Sequence, residues 1–325
     1  MLRRAGVSAY PVLVATKRKT LRSGLVPAVG QFNHMVVCFE LSQTSTGSVK
    51  EFCIDPTIPE DHWADMPVSL QGRYGLRIRV ADDEPSILPV DEYRWIMEVE
   101  SNIKFLKDGG QQENQTRRYK TGYASLYKDY FNNNIKEDIN RWLLDDYASK
   151  VSNLAEPSFS YSGHDQHGGD VIINSEVTFP PFIDIDESLS YSEKDSWLVS
   201  ELNDLKLENE NYREYFSGMS MSSTMLIDVG SNWSLTIPTA KLNLTHDFGS
   251  LTRSITRESD KVYKLKTELK VPRRWVDVGD IATFNEFLDA LKGELVIHTY
   301  GKLVSNEILE CVSLSALRRY IEFGF

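Results

Sequence analysis

Cysteine is scarce in this chain: Cys38, Cys53 and Cys311 are the three in 325 residues. An odd count leaves at least one thiol without an intrachain partner. None of the spacings is the short Cys-x-x-Cys kind that a structural zinc site uses, so neither a zinc ribbon nor a disulfide framework is expected. Long hydrophobic runs are missing too, none approaching the roughly 20 apolar residues of a membrane-spanning helix. Basic charge is in deficit, with 36 Lys and Arg against 47 Asp and Glu and a net charge of −11. That balance excludes nucleic acid and anionic membrane as expected partners, because binding phosphates takes a basic surface. The remaining composition, 41% hydrophobic, is that of a globular protein with a substantial core.

What is present is a hairpin pattern carrying a histidine and an aspartate. Strand-like runs from Phe32-Asn33-His34 and up to Phe52-Cys53-Ile54-Asp55-Pro56 flank the turn-like Gln43-Thr44-Ser45-Thr46-Gly47. With Thr44 and Ser45 at the turn's centre, His34 faces Asp55, Cys38 faces Glu51 and Cys53 faces Val36. Side chains opposite one another across an antiparallel ladder have Cβ atoms roughly 4.5–5.5 Å apart, within hydrogen-bonding reach for imidazole and carboxylate. His34 and Asp55 are then candidates for the base and orienter of a nucleophilic triad, although a structural His–Asp contact needs the same geometry. A Cys38–Cys53 bridge would be diagonal in this register and is not expected. Cys53 lies mid-strand, and Cys38 is four residues from His34, about 13 Å at the usual strand rise, so neither has the setting of a nucleophile.

The words around these residues resemble the core of the transglutaminase-like superfamily, a papain-like fold with a Cys-His-Asp site. Leu2-Arg3-Arg4-Ala5-Gly6-Val7-Ser8-Ala9-Tyr10-Pro11-Val12-Leu13-Val14 is similar to the family's helix end and first core strand. Gln31-Phe32-Asn33-His34 is similar to its histidine strand and Ile54-Asp55-Pro56-Thr57 to its aspartate strand, while Leu70-Gln71-Gly72-Arg73 and Leu88-Pro89 resemble the exit from the core in large bacterial multidomain members. The resemblance implies catalytic roles for His34 and Asp55. It also implies that the nucleophilic Cys belongs to the start of a helix whose end is matched by Leu2–Gly6, so the Cys is expected to be absent from this chain. The parent family implies a periplasmic or secreted protein; Met1 to Val14 reads as interior sequence rather than a signal peptide.

The fold class expected is α+β: the carboxyl-terminal half of a papain-like core, then a mostly antiparallel β-sandwich with helices. Residues 1–85 form the partial core, closed by the polar Asp82-Asp83-Glu84-Pro85 boundary. Before it, Lys17 to Gly30 reads as a basic loop, and Tyr74, Leu76, Ile78 and Val80 alternate as the inward face of a strand. Residues 86–303 form the sandwich, with a helical insertion over about 122–152 and a closing helix over about 283–291. Within it, Met97, Val99, Ile103 and Phe105 alternate before an Asp108-Gly109 turn, and Tyr123, Leu126, Tyr127 and Tyr130 make a helical stripe. Tyr263, Leu265, Thr267, Leu269 and Val271 mark a later strand, and Thr283-Phe284-Asn285-Glu286 reads as a capping box. Residues 304–325 carry a helical stripe of Ile308, Leu309, Val312, Leu317, Tyr320 and Ile321. The His164–His167 segment groups metal-ligand types but has turn composition, so no metal and no cofactor are expected.

Two functions follow. One is the carboxyl-terminal portion of a thiol acyltransferase or cysteine protease acting on a peptide or protein amide, inactive until a Cys-bearing segment completes it. The other is a non-catalytic binding or structural module whose working part is the sandwich. Loss of a covering helix would leave the face carrying Val12, Val14, Val36 and Cys38 exposed, and self-association is the expected consequence.

Overall fold

In a computed structural model the described residues are 4, 6–15, 32–42, 49–57, 70–71, 73–79, 86–88, 93–150, 155–166, 169–180, 188–194, 196–208, 214–231, 233–235, 237 and 239–303. The Lys17–Gly30 loop, the Gln43–Gly47 turn, the Asp82–Pro85 boundary, His167 and the stripe beyond residue 303 lie outside them. Among the described residues the fold is α+β, with two large, mostly antiparallel sheets, two smaller ones and four α-helices.

The first sheet contains β1 (Ala9–Val14), β2 (His34–Ser42), β3 (Val49–Ile54), β4 (Tyr74–Arg77) and β5 (Ser86–Ile87), in the order β3-β2-β1-β4-β5. β1 is a short apolar run that pairs on both sides, against β2 and β4, with Tyr10, Val12 and Val14 on the buried face and Pro11 and Leu13 half-buried on the other. One face packs Tyr10, Val12, Val14, Val36, Cys38 and Cys53 beneath Leu70 and Leu88. Val12, Val14, Val36 and Cys38 are each 0% exposed, so the face expected to lie bare is covered within the chain, and that ground for self-association falls away.

β4 turns the other way from its sequence pattern. Gly75 and Arg77 point into the buried face, while Tyr74 and Ile78 are 37% and 47% exposed. The reason is local: a Cβ on Gly75 would meet Val12 Cγ1 and Leu88 Cδ2 at 2.9 Å each, so this close approach needs a glycine inside.

The second sheet draws on β6 (Trp95–Phe105), β7 (Gln111–Lys120), β8 (Ser158–Ser162), β9 (Val171–Phe179), β12 (Met219–Asp228), β14 (Ala240–His246), β15 (Gly249–Arg257) and β16 (Val262–Val271). Their order is β14-β15-β16-β12-β6-β7-β9-β8, and only the β12–β6 pair is parallel. β6 and β16 bury the alternating sets read from the sequence, and the Asp108-Gly109 turn joins β6 to β7 with Asp108 Oδ1 accepting from the Gly110 amide at 3.0 Å. Smaller sheets pair β10 (Ser188–Lys194) and β13 (Trp233–Leu235) with β18 (Val296–Leu303), and β11 (Glu214–Phe216) with β17 (Arg274–Val276).

Helices α1 (Thr121–Asn133), α2 (Lys136–Lys150), α3 (Ser196–Asp204) and α4 (Ile281–Glu294) add aromatic and aliphatic side chains to the core of the second sheet. Tyr123, Tyr127 and Phe131 of α1 are buried, but Leu126 and Ile135 face out, because the stripe follows the aromatic residues rather than every apolar one. The capping box is not used. α4 starts at Ile281, before Thr283, and Asn285 instead clamps the backbone of Leu207, its Oδ1 accepting from the amide at 3.0 Å and its Nδ2 donating to the carbonyl at 2.9 Å.

Candidate functional site

His34 opens β2, and Asp55 follows β3 where Pro56 stops the strand. Their side chains meet at the end of the buried face of the first sheet, with His34 Nε2 at 2.5 Å from Asp55 Oδ2. The other carboxylate oxygen is also occupied: Oδ1 accepts from the Thr57 amide at 3.0 Å and the Thr57 hydroxyl at 2.6 Å. Burial pushes the Asp55 carboxyl up, but the two Thr57 hydrogen bonds and the His34 contact outweigh it and hold the group below the usual carboxylate range. An ionised carboxylate only accepts, so Nε2 is the donor in this contact, and in the neutral tautomer that fits it Nδ1 has the lone pair. The Asp55 side chain is 2% exposed and that of His34 26%, which sets the orienter inside and the imidazole at the surface of the fold. Thr57 was not assigned a role from sequence; the signal was the Asp-Pro-Thr spacing of an Asx-type turn.

The pairing that delivers this contact differs from the expected one. Cys38 pairs with Cys53, Phe39 with Phe52 and Val37 with Ile54, a shift of two residues that keeps every side chain on its face. Two corrections follow from the shift. Asp55 reaches His34 diagonally instead of across the ladder, and Cys38 and Cys53, now opposed, form a disulfide. Cys53 therefore faces Cys38 rather than Val36, and neither sulfur is available as a nucleophile while the bond is intact.

Beyond the disulfide the same face ends in a charged cluster. The observed register sets Glu40 directly against Glu51, a like-charge pair that is unfavourable by itself. Three groups offset it. The Tyr10 hydroxyl donates to Glu51 at 2.6 Å and lies 3.3 Å from Glu40; Arg77 makes a two-pronged contact with Glu51 and donates to Ser86; Arg79 reaches Glu40 at 2.9 Å. Burial pushes Glu51 up, yet the Arg77 and Tyr10 hydrogen bonds hold it below the usual carboxylate range. Burial and the neighbouring Glu51 push the Tyr10 phenol well above its ordinary value.

Among the described residues one group of metal-ligand side chains converges, Cys38, Glu51 and Cys53, whose donor atoms lie within 4.8 Å of one another. The sulfurs are bonded together and Arg77 holds Glu51, so the group does not fit a cation. His164 packs its ring against Phe131 and Tyr161, with centroids 5.8 and 5.2 Å away.

No protein-family model and no curated protein matches the chain. Among solved structures, it is similar to a "putative protease" from Parabacteroides distasonis, at 9% identity and a TM-score of 0.41. The match covers 93% of this chain and 41% of that one, so the chain spans about two fifths of that protein's length.

Proposed function

We propose that His34 and Asp55 are the base and orienter of a thiol acyl-transfer site of the transglutaminase-like or cysteine-protease kind, whose nucleophilic cysteine comes from outside the described residues. The observation that carries this reading is the hydrogen-bond arrangement at Asp55, both of whose carboxylate oxygens are engaged while Nδ1 of the surface-facing His34 is left to exchange a proton. In that chemistry a thiol gives its proton to Nδ1 and attacks an amide carbonyl. The imidazolium, steadied by Asp55, then protonates the departing amine, leaving a thioester for water or a second amine to resolve. Substrate is a peptide or protein amide. By itself the pair supplies no nucleophile. A periplasmic or secreted setting is part of the same proposal, and the disulfide supports it because such bonds persist in oxidising compartments.

The test begins with the reading frame upstream of Met1. An in-frame helix bearing a cysteine, expressed joined to this chain, should form a thioester with a glutamine-containing peptide and lose that ability in His34→Ala. Failure of the joined protein to acylate sinks the reading.

A second reading, a non-catalytic binding module, is favoured by one observation. A depression of about 320 Å³ lies over the second sheet, lined by polar side chains that include Asn102, Asn114, Thr116, Ser160, Asn174 and Glu176. Chemical-shift changes at these residues on adding a neutral polyol, absent in Asn174→Leu, would support it.

A further inference from the structure

The carboxylate of an aspartate turns about its last side-chain bond in a broad, two-fold well, so its own torsions do not decide how its oxygens face a neighbour. At Asp55 that orientation matters, because His34 lies on the diagonal of the ladder, a longer reach than a directly opposed pair has. The residues that follow in the chain settle it. Pro56 has no N–H to offer Oδ1, and the amide that turns back to this oxygen is that of Thr57, at 3.0 Å. The Thr57 hydroxyl places a second donor on the same oxygen at 2.6 Å. Among the described residues these two groups and His34 Nε2 are the partners of the carboxylate.

We propose that Thr57 is a positioning residue for the His34–Asp55 pair: by giving Oδ1 two donors it fixes the plane of the carboxylate and so presents Oδ2 to Nε2. The inference rests on reading His34 as the base and adds the group that aims its orienter. With Oδ1 pinned, turning the carboxylate breaks two hydrogen bonds besides the one to His34, and the three contacts hold a single orientation together. The same donors favour the charged form. Against burial, the Thr57 hydroxyl and amide and then the His34 contact hold the carboxyl below its usual range, which keeps Asp55 an acceptor toward the imidazole. Thr57 itself is exposed, whereas Asp55 is 5% exposed, so the hydroxyl is a surface group whose loss leaves the packing of the sheet intact. A water molecule in its place donates without being tied to the backbone, and the orientation is lost while the fold is kept.

The test is independent of turnover. The full chain is compared with Thr57→Val, which removes the hydroxyl and keeps the shape, with Thr57→Ala, and with Thr57→Ser, which keeps the hydroxyl. Two signals are read in each: the Nε2–H proton of the His34 imidazole by 1H–15N NMR, and the Asp55 carboxyl carbon through an acid titration. The wild type should show a persistent Nε2–H proton and a carboxyl that titrates below the usual range. Thr57→Val and Thr57→Ala should stay folded, lose the Nε2–H signal to exchange with water, and titrate the carboxyl at higher pH. Thr57→Ser should recover both signals, a rescue specific to the hydroxyl. An Nε2–H signal and a titration unchanged in Thr57→Val and Thr57→Ala overturn the proposal. So does a folded Thr57→Ser that behaves like Thr57→Val. Unfolding of the first sheet in both Thr57→Val and Thr57→Ala overturns it too, since the threonine would then hold the fold and not the pair. Rescue by serine in a protein that, joined to its cysteine-bearing segment, still never acylates would leave Thr57 as the group that aims the carboxylate and remove the acyl-transfer reading.

Discussion

Asp55 meets His34 on the diagonal of the β2–β3 ladder, its Oδ2 at 2.5 Å from Nε2 and its Oδ1 tied to Thr57. Replacing Asp55 by Asn keeps the size but offers both a donor and an acceptor, so the imidazole is no longer held in one tautomer. The expected result is a mixture of Nδ1–H and Nε2–H forms by 15N NMR. Asp55→Ala should cost more, about 1–3 kcal/mol in chemical denaturation, because it removes the acceptor of the His34 and both Thr57 hydrogen bonds.

The same carboxylate gives a pH signature. Its pKa in the folded chain is held below the unfolded value, so the stability it contributes is fully present above the unfolded carboxylate pKa of about 3.9 and is lost as pH falls through the folded value. The stability gap between wild type and Asp55→Asn should therefore narrow as the pH is taken below the unfolded carboxylate value of about 3.9 and through the folded one. A gap that widens as pH falls below that carboxylate value would contradict the hydrogen-bond assignment.

Arg77 is the cation that makes an opposed pair of glutamates tolerable. Its side chain and that of Glu51 are 10% and 16% exposed, so the pair is largely desolvated and removing one member strands the other. Arg77→Met should destabilise the chain by about 3 kcal/mol, more than the Arg77→Met/Glu51→Gln double variant, in a double-mutant cycle read by urea unfolding. Because Glu51 too is held below its ordinary range, the stability it contributes in the wild type is lost as pH falls through the folded value, and the Arg77→Met penalty should shrink there.

These residues also mark how far the sequence could be read. His34 and Asp55 were placed on one face correctly because any even shift preserves faces, whereas the register itself depended on a turn without distinctive chemistry and on a disulfide. Alternation located β6 and β16, where apolar means inward. In β4 it misled, since Arg77 is drawn inside by Glu51 and Gly75 by the space between Val12 and Leu88. The capping box failed because α4 begins at Ile281, which puts Thr283 inside the helix and not at its N-cap. Local pattern gives way where a single long-range contact is worth more than the pattern.

Gly163, at the end of β8, tests backbone against composition in the His164 loop. Its φ is +82°, and a Cβ there would come within 2.1 Å of the Asp170 carbonyl oxygen. Gly163→Ala should lower the melting temperature, with a cost above the roughly 1 kcal/mol of an ordinary loop substitution. Gly279→Ala is the control. Nothing lies within 4 Å of its Cβ position, and it should be neutral.

Arg117 presents the opposite case to Arg77. It is 0% exposed, stacks on Trp197 at 3.9 Å and lies 3.7 Å from Asp146 Oδ2, but among the described residues none of its guanidinium nitrogens has a hydrogen-bond partner. Lys150, the other cation near Asp146, lies 3.5 Å from its Oδ1 and 2.6 Å from Glu201. Burial pushes the Asp146 carboxyl up against the pull of Lys150 and Arg117, so the folded chain binds this proton more tightly than the unfolded one. The consequence is a contribution that weakens as pH rises from the unfolded pKa through the folded value, opposite in sign to Asp55. Arg117→Met removes one of the two cations and should cost about 3 kcal/mol at pH 7, the loss fading as Asp146 takes up its proton in acid. Arg117→Met/Asp146→Asn removes both poorly paired charges and should be at least as stable as wild type. Urea midpoints for the three proteins at pH 7 and pH 4 decide it. A double variant weaker than Arg117→Met alone would overturn this, since Asp146 would then stabilise the chain without Arg117, through Lys150.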